Sequence, residues 1–95
     1  MELKHGFKIG DKTVKNFEVL PATAGMMIEV IEENRRLGEA GNFEGLATVR
    51  RIKITELGDR WNLETLKKMS LTDFNILQKA IGDFDENFTT GPVEF

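Results

Sequence analysis

Few side chains in this sequence are of types that could do covalent chemistry. Ser70 is the one serine and His5 the one histidine, and cysteine and tyrosine are absent. A serine nucleophile would have to join Ser70 to His5. Ser70, however, stands where a helix cap belongs, and His5 lies in a terminal segment expected to be mobile. One histidine is too few for a transition-metal site. For a hard cation, Asp83, Asp85, Asn87 and Glu94 fall at offsets 1, 3, 5 and 12 of a calcium loop. Phe88 occupies the offset where the sharp turn needs glycine, and Pro92 interrupts the loop, so the stretch reads instead as the acidic end of a helix. "HGFKIG" and "GEAGNFEG" contain glycines without the lysine and hydroxyl, or the strand context, of a phosphate cradle. Glu32 and Glu33 are neighbours about 100° apart on a helix and read as a solvated face. The residues predict no catalytic group, no cofactor, no metal and no enzyme.

The elements that would carry a binding surface are legible. Ninety-five residues with 40% hydrophobic and 31% charged content suit one domain with its own core. A β-hairpin is expected over about residues 6–20, with short strands at Phe7–Ile9 and Thr13–Leu20 and a turn at "GDK". Its second strand does not alternate cleanly near Asn16, which predicts a bulge, and Pro21 closes it. Thr23 is placed to cap a helix to Leu37 with a stripe of Met26, Met27, Val30 and Ile31. Asn42 caps a second helix expected from Phe43 to Leu57, stopped by Gly58. Asn62 caps a short third helix, "LETLKKM". Ser70 and Asp73 have capping-box spacing for a fourth helix, whose Phe74, Leu77, Ile81 and Phe84 share one face. Gly82 weakens that helix by about 1 kcal/mol relative to alanine.

The expected architecture is therefore α+β and mostly helical: an N-terminal β-hairpin followed by a small bundle of three to four helices. Residues 1–86 form the domain, with helices over about residues 23–86, and residues 87–95 a flexible tail. No apolar run matches a signal peptide or a membrane span, so a soluble cytoplasmic protein is the expectation.

Charge separates two binding readings. Residues 43–69 carry six Lys/Arg against four Asp/Glu, whereas residues 70–95 carry one lysine against five acids. "VRRIKITELGDRWNLETLKKM" loosely follows a helix-turn-helix layout. Arg50, Arg51, Lys53, Arg60, Lys67 and Lys68 could touch phosphates. The acidic last helix opposes that use, and the basic residues are as readily explained by surface pairing with Glu56 or the acidic end. The other reading is a protein partner. Met26, Met27 and Val30 on the first helix, Trp61 after the Gly-Asp-Arg loop, and Phe88 and Phe95 near the end are its candidate contacts.

The order of these segments carries a resemblance. A charged hairpin, "LP", an apolar helix, a helix ending "ITELG", then "LETLKKM" and "SLTDFNILQKAIGDF" resembles the small tail assembly chaperones of Mu-like bacteriophages and prophages. The matching positions are Leu66 or Met69, Asp73 with Phe74, Leu77, and Ala80 with Ile81, within a similarity from about Thr13 to Glu86. The resemblance implies a non-catalytic protein of the bacterial cytoplasm, absent from the virion. It would bind the largely helical tape-measure protein and keep it soluble during tail morphogenesis. It also implies a frameshifted longer form of the same chain as a further partner; a homo-oligomer is a separate expectation, not drawn from the resemblance. The alternative is a helix-turn-helix-like nucleic-acid-binding regulator of prophage origin.

Overall fold

A computed structural model describes residues 1–87. Strands β1 (Glu2–Ile9) and β2 (Lys12–Asn16) form an antiparallel hairpin in which Ile9 faces Lys12. Gly10 opens the two-residue turn with φ +60°, the conformation that a glycine-first hairpin turn requires. β1 begins well before the expected strand and is irregular. Glu2 faces Asn16 and Phe7 faces Val14, so five residue steps on β1 run against two on β2, and Leu3–Gly6 arch away from the ladder.

The irregularity expected near Asn16 is where the chain changes partners. Phe17 drops into the core, and β3 (Glu18–Val19) pairs antiparallel with β4 (Ile52–Lys53) in a second two-stranded sheet. The second helix is accordingly shorter than expected. Helix α2 spans Phe43–Arg51, not Phe43–Leu57. In the stretch after Arg51, Ile52 and Ile54 are buried and Lys53 is exposed, the period of a strand, and β-branched residues suit that conformation better than a helix. Trp61 closes the helix end: its Nε1–H donates to the Val49 and Ile52 carbonyls at 3.1 and 2.9 Å.

The remaining helices follow their caps. Thr23, Asn42 and Asn62 each accept a backbone N–H from three residues on, starting α1 (Ala24–Leu37), α2 and α3 (Leu63–Lys68). Helix α4 (Leu71–Asn87) completes the fold. The architecture is α+β and mostly helical, an N-terminal hairpin followed by four helices. α2 is central, touching α1, α3, α4 and β4. The core gathers Leu3, Val14 and Phe17 from the strands, Val30, Leu46, Leu63, Leu66 and Leu77 from the helices, and Ile52, Ile54 and Leu57 from the β4 region.

Candidate functional site

Beside α4 lies an apolar stretch of surface. Leu71, Phe74, Gln78 and Ile81 succeed one another at steps of three, four and three, so they form one stripe along the helix. Leu63, Leu66 and Met69 face the Leu71 end of this stripe, and Phe43, Ala47 and Thr48 of α2 face the Ile81 end. The two stretches enclose about 330 Å³ and 450 Å³ and share Glu44 and Phe74 as lining, so they adjoin along α4 and together make an apolar groove on either side of Phe74. Leu71 is 73% exposed and Phe43 40%. Its polar groups are few: Asn42, Glu44, Thr48, Arg51, Lys67 and Gln78. Thr48 accepts a 2.9 Å bond from the Gln78 amide, which ties α2 to α4 across the floor.

Packing and capping together leave this groove open. Leu77 is fully buried and fixes the rotation of α4 on the core. Phe74 and Ile81, expected to share one face with Leu77, are then only half-buried, because their side of the helix faces the groove. Leu71 and Phe43 are each the first helical residue after a cap, Ser70 and Asn42. Neither was expected as a surface contact. The available signal was a large apolar residue directly after a polar cap, a position with little of the helix around it to cover the side chain.

The expected contact residues are placed differently. Val30 is fully buried between α1 and the core and offers nothing to a partner, which corrects its assignment to the surface. Met26 and Met27 are half-buried, while Ile28 and Ile31 of the same helix are 55% and 44% exposed. α1 rests mainly on α2, so only a narrow line of it is covered. Trp61 is half-buried and held at both ends: its N–H caps α2, and its ring meets Phe7 edge-on at 6.0 Å. It lines a separate cavity of about 310 Å³ with Glu33, Val49 and Arg50. Phe88 and Phe95 lie outside the described residues.

Ser70, His5 and Asp73 do meet in one corner, but through bonds to the backbone. Ser70 Oγ accepts the Asp73 N–H at 3.1 Å, as the cap predicts. The Asp73 carboxylate does not return to its own helix start. It accepts the N–H groups of Lys4, His5 and Gly6 in the β1 arch, at 2.7, 3.1 and 2.9 Å. A proton relay would need the imidazole between hydroxyl and carboxylate; here the carboxylate fastens the hairpin to α4. Burial, the largest influence, raises the Asp73 pKa, but the three backbone bonds together with the His5 charge outweigh it, and the carboxyl is held below 3.8.

The calcium-loop spacing also resolves into structure. Asp83, Asp85 and Asn87 are helical, so they point in successive directions around α4, and Asp85 is bound by Arg51. Glu94 lies outside the described residues. Among those described, no three His, Cys, Asp or Glu side chains are grouped to hold a metal ion, and no helix is long and apolar enough to cross a membrane. Arg50, Arg51 and Lys67, of the basic residues proposed to touch phosphate, are paired with acids. Arg51 is buried, donating its Nε–H to the Leu20 carbonyl and its terminal N–H groups to Asp85. Its hydrogen bond holds the Asp85 carboxyl below 3.8, burial opposes this, and the guanidinium charge adds to the lowering. Arg50 bridges Glu29 and Glu33 at 3.2 Å each, and Lys67 is 3.6 Å from Glu64. Residues 52–62 separate α2 from the six-residue α3, so the tight two-helix unit expected around Gly58 is not formed. No protein-family model, curated protein or solved structure matches this chain.

Proposed function

We propose that this protein is a non-catalytic binding module that shelters an amphipathic helical segment of another protein. The observation that carries the reading is the pair of adjoining apolar hollows between α4 and the α2–α3 wall, with Leu71 and Phe43 exposed at the two ends. From Leu71 to Ile81 the groove runs about 15 Å, three turns of helix, and its alternation of apolar wall with few polar groups suits a helix-in-groove mode. The resemblance to Mu-like tail assembly chaperones gives the partner an identity: the phage tape-measure protein, long and largely helical, held soluble by mass action in the host cytoplasm.

The test is co-expression with a phage tape-measure protein, followed by salt-resistant co-purification. Leu71→Glu adds a charge at an exposed position and is expected to leave the fold intact while weakening the complex at least tenfold. Met26→Glu and Met27→Glu probe the α1 face, expected from the sequence to take part. A complex unchanged by Leu71→Glu and Phe43→Glu, in proteins shown to be folded, overturns the groove assignment. Failure to bind the tape-measure protein, with retained binding of another amphipathic helix, overturns the partner and keeps the module.

A further inference from the structure

We propose that the groove also receives helix α1 of a second copy of this chain, so that copies associate head to tail through Ile28 and Ile31. The inference rests on the groove reading above and names a further occupant of that site. α1 is itself an amphipathic helix with an uncovered apolar side. Ala24, Ile28, Ile31 and Arg35 follow at steps of four, three and four and are all exposed, so they form one outer stripe. Val30, fully buried, lies about 200° around the helix from Ile28. One copy cannot match the two surfaces to each other. Glu33 of α1 lies with Val49 and Arg50 of α2, whereas Phe43, Ala47 and Arg51 of α2 line the groove, so α1 and the groove occupy different sides of α2.

Length and charge fit this occupant. Ala24 to Arg35 spans about 16 Å along α1, against about 15 Å from Leu71 to Ile81 along α4. Glu32 and Arg35, beside the isoleucines, make no ion pair among the described residues. Glu44 in the groove makes none either, and Lys67 of the same hollow holds only Glu64, at 3.6 Å between exposed side chains. Glu32 opposite Lys67 and Arg35 opposite Glu44 give two pairs of unlike charge, both at the Leu71 end. This order runs α1 antiparallel to α4, with Ala24 toward Ile81. Each copy then has one helix face to give and one groove to fill. Such a contact is heterologous: it continues from copy to copy, as a ring where the rotation closes and as an open chain where it does not. A tape-measure helix must therefore compete with a second copy for the groove.

Sedimentation equilibrium of the full chain tests this, from about 10 µM to about 1 mM, the range suited to a small interface. The wild-type weight-average mass is expected to climb with concentration from 10.8 kDa to about twice that value or more. Ile31→Glu, on α1, and Leu71→Glu, in the groove, should each stay at the monomer mass. Mixed in equal amounts, the two variants should form a pair, because the first keeps its groove and the second its α1 face. Ile28→Glu and Phe43→Glu replace either variant whose circular dichroism departs from wild type. A wild-type chain that remains monomeric overturns the proposal, as does association that survives either substitution. Loss in both variants without recovery in the mixture also overturns it, because a head-to-tail contact must be restored there. The groove reading is checked separately by adding the tape-measure protein to Ile31→Glu. Capture by that variant keeps the groove reading even where the wild type does not self-associate. No capture, beside recovered pairing in the mixture, removes the tape-measure partner and keeps the contact between copies.

Discussion

Asp73 is the residue on which the corner between hairpin and helix depends. A carboxylate with three backbone N–H donors is satisfied only while ionised. Replacing it with asparagine leaves one oxygen and turns an amide N–H toward donors. Asp73→Asn is expected to destabilise the protein by about 2–3 kcal/mol at pH 7, measured by urea unfolding. The pH dependence has a definite sign. The folded-state pKa lies below 3.8, so the stabilisation is complete above the unfolded-state value and is lost as pH falls through the folded one. The gap between wild type and Asp73→Asn should therefore close as the pH is lowered through the ordinary carboxylate range and below it. A gap that stays constant across that range would show that the carboxylate charge is not what holds the arch.

At the scale of elements, the arch in β1 exists because Gly6 permits it. Its φ is +72°, and a Cβ there would come 2.3 Å from the Val14 carbonyl oxygen, a backbone atom that cannot move aside cheaply. Gly6→Ala should cost on the order of 2 kcal/mol and weaken the Asp73 bonds with it. Gly82 is the contrasting case: it is helical, exposed and has nothing within 4 Å of an added Cβ. Gly82→Ala is expected to stabilise α4 by about 0.5–1 kcal/mol. Urea midpoints moving in opposite directions would check both. The short β4 teaches the same lesson about local context. Thr55, Glu56 and Leu57 could extend a helix, but Ile52 and Ile54 alternate inward, and Trp61 already fills the carbonyls at the α2 terminus.

For the whole molecule, α2 is the axle around which the other elements are arranged, and the Arg51–Asp85 pair fixes the far end of α4 to it. The Arg51 side chain is 9% exposed and its partner 52%, so the pair stands between a surface bridge and a buried one. Asp85→Ala is expected to cost about 1–2 kcal/mol. Its more specific mark is local: faster amide hydrogen exchange over residues 82–87, with protection around Leu77 retained. Uniform loss of protection would mean that the pair supports global stability and not the exit of the chain. The groove, Leu71 to Ile81, is itself a property at this scale, assembled from three helices.

Much of this was legible along the chain. Caps at Thr23, Asn42, Asn62 and Ser70, the Gly10 turn, the break near Asn16 and the helix-forming stripe of α4 are local matters, decided by hydrogen-bonding side chains and periodicity within a few residues. Those determined the hairpin, the helix starts and the α+β class, though not the β3–β4 pairing, and the scarcity of serine and histidine and the lack of cysteine narrowed the chemistry. What tertiary structure decided was which apolar residues were left uncovered. Val30 and Ile31 are adjacent and alike in sequence, yet α2 covers one and leaves the other in solvent. Asp73 looks like half of a capping box, yet its carboxylate binds an arch almost seventy residues away. Leu71 and Phe43 acquire a common surface only when α4 and α2 pack. Burial depends on the neighbour that arrives from elsewhere in the chain, and no local pattern specifies that neighbour.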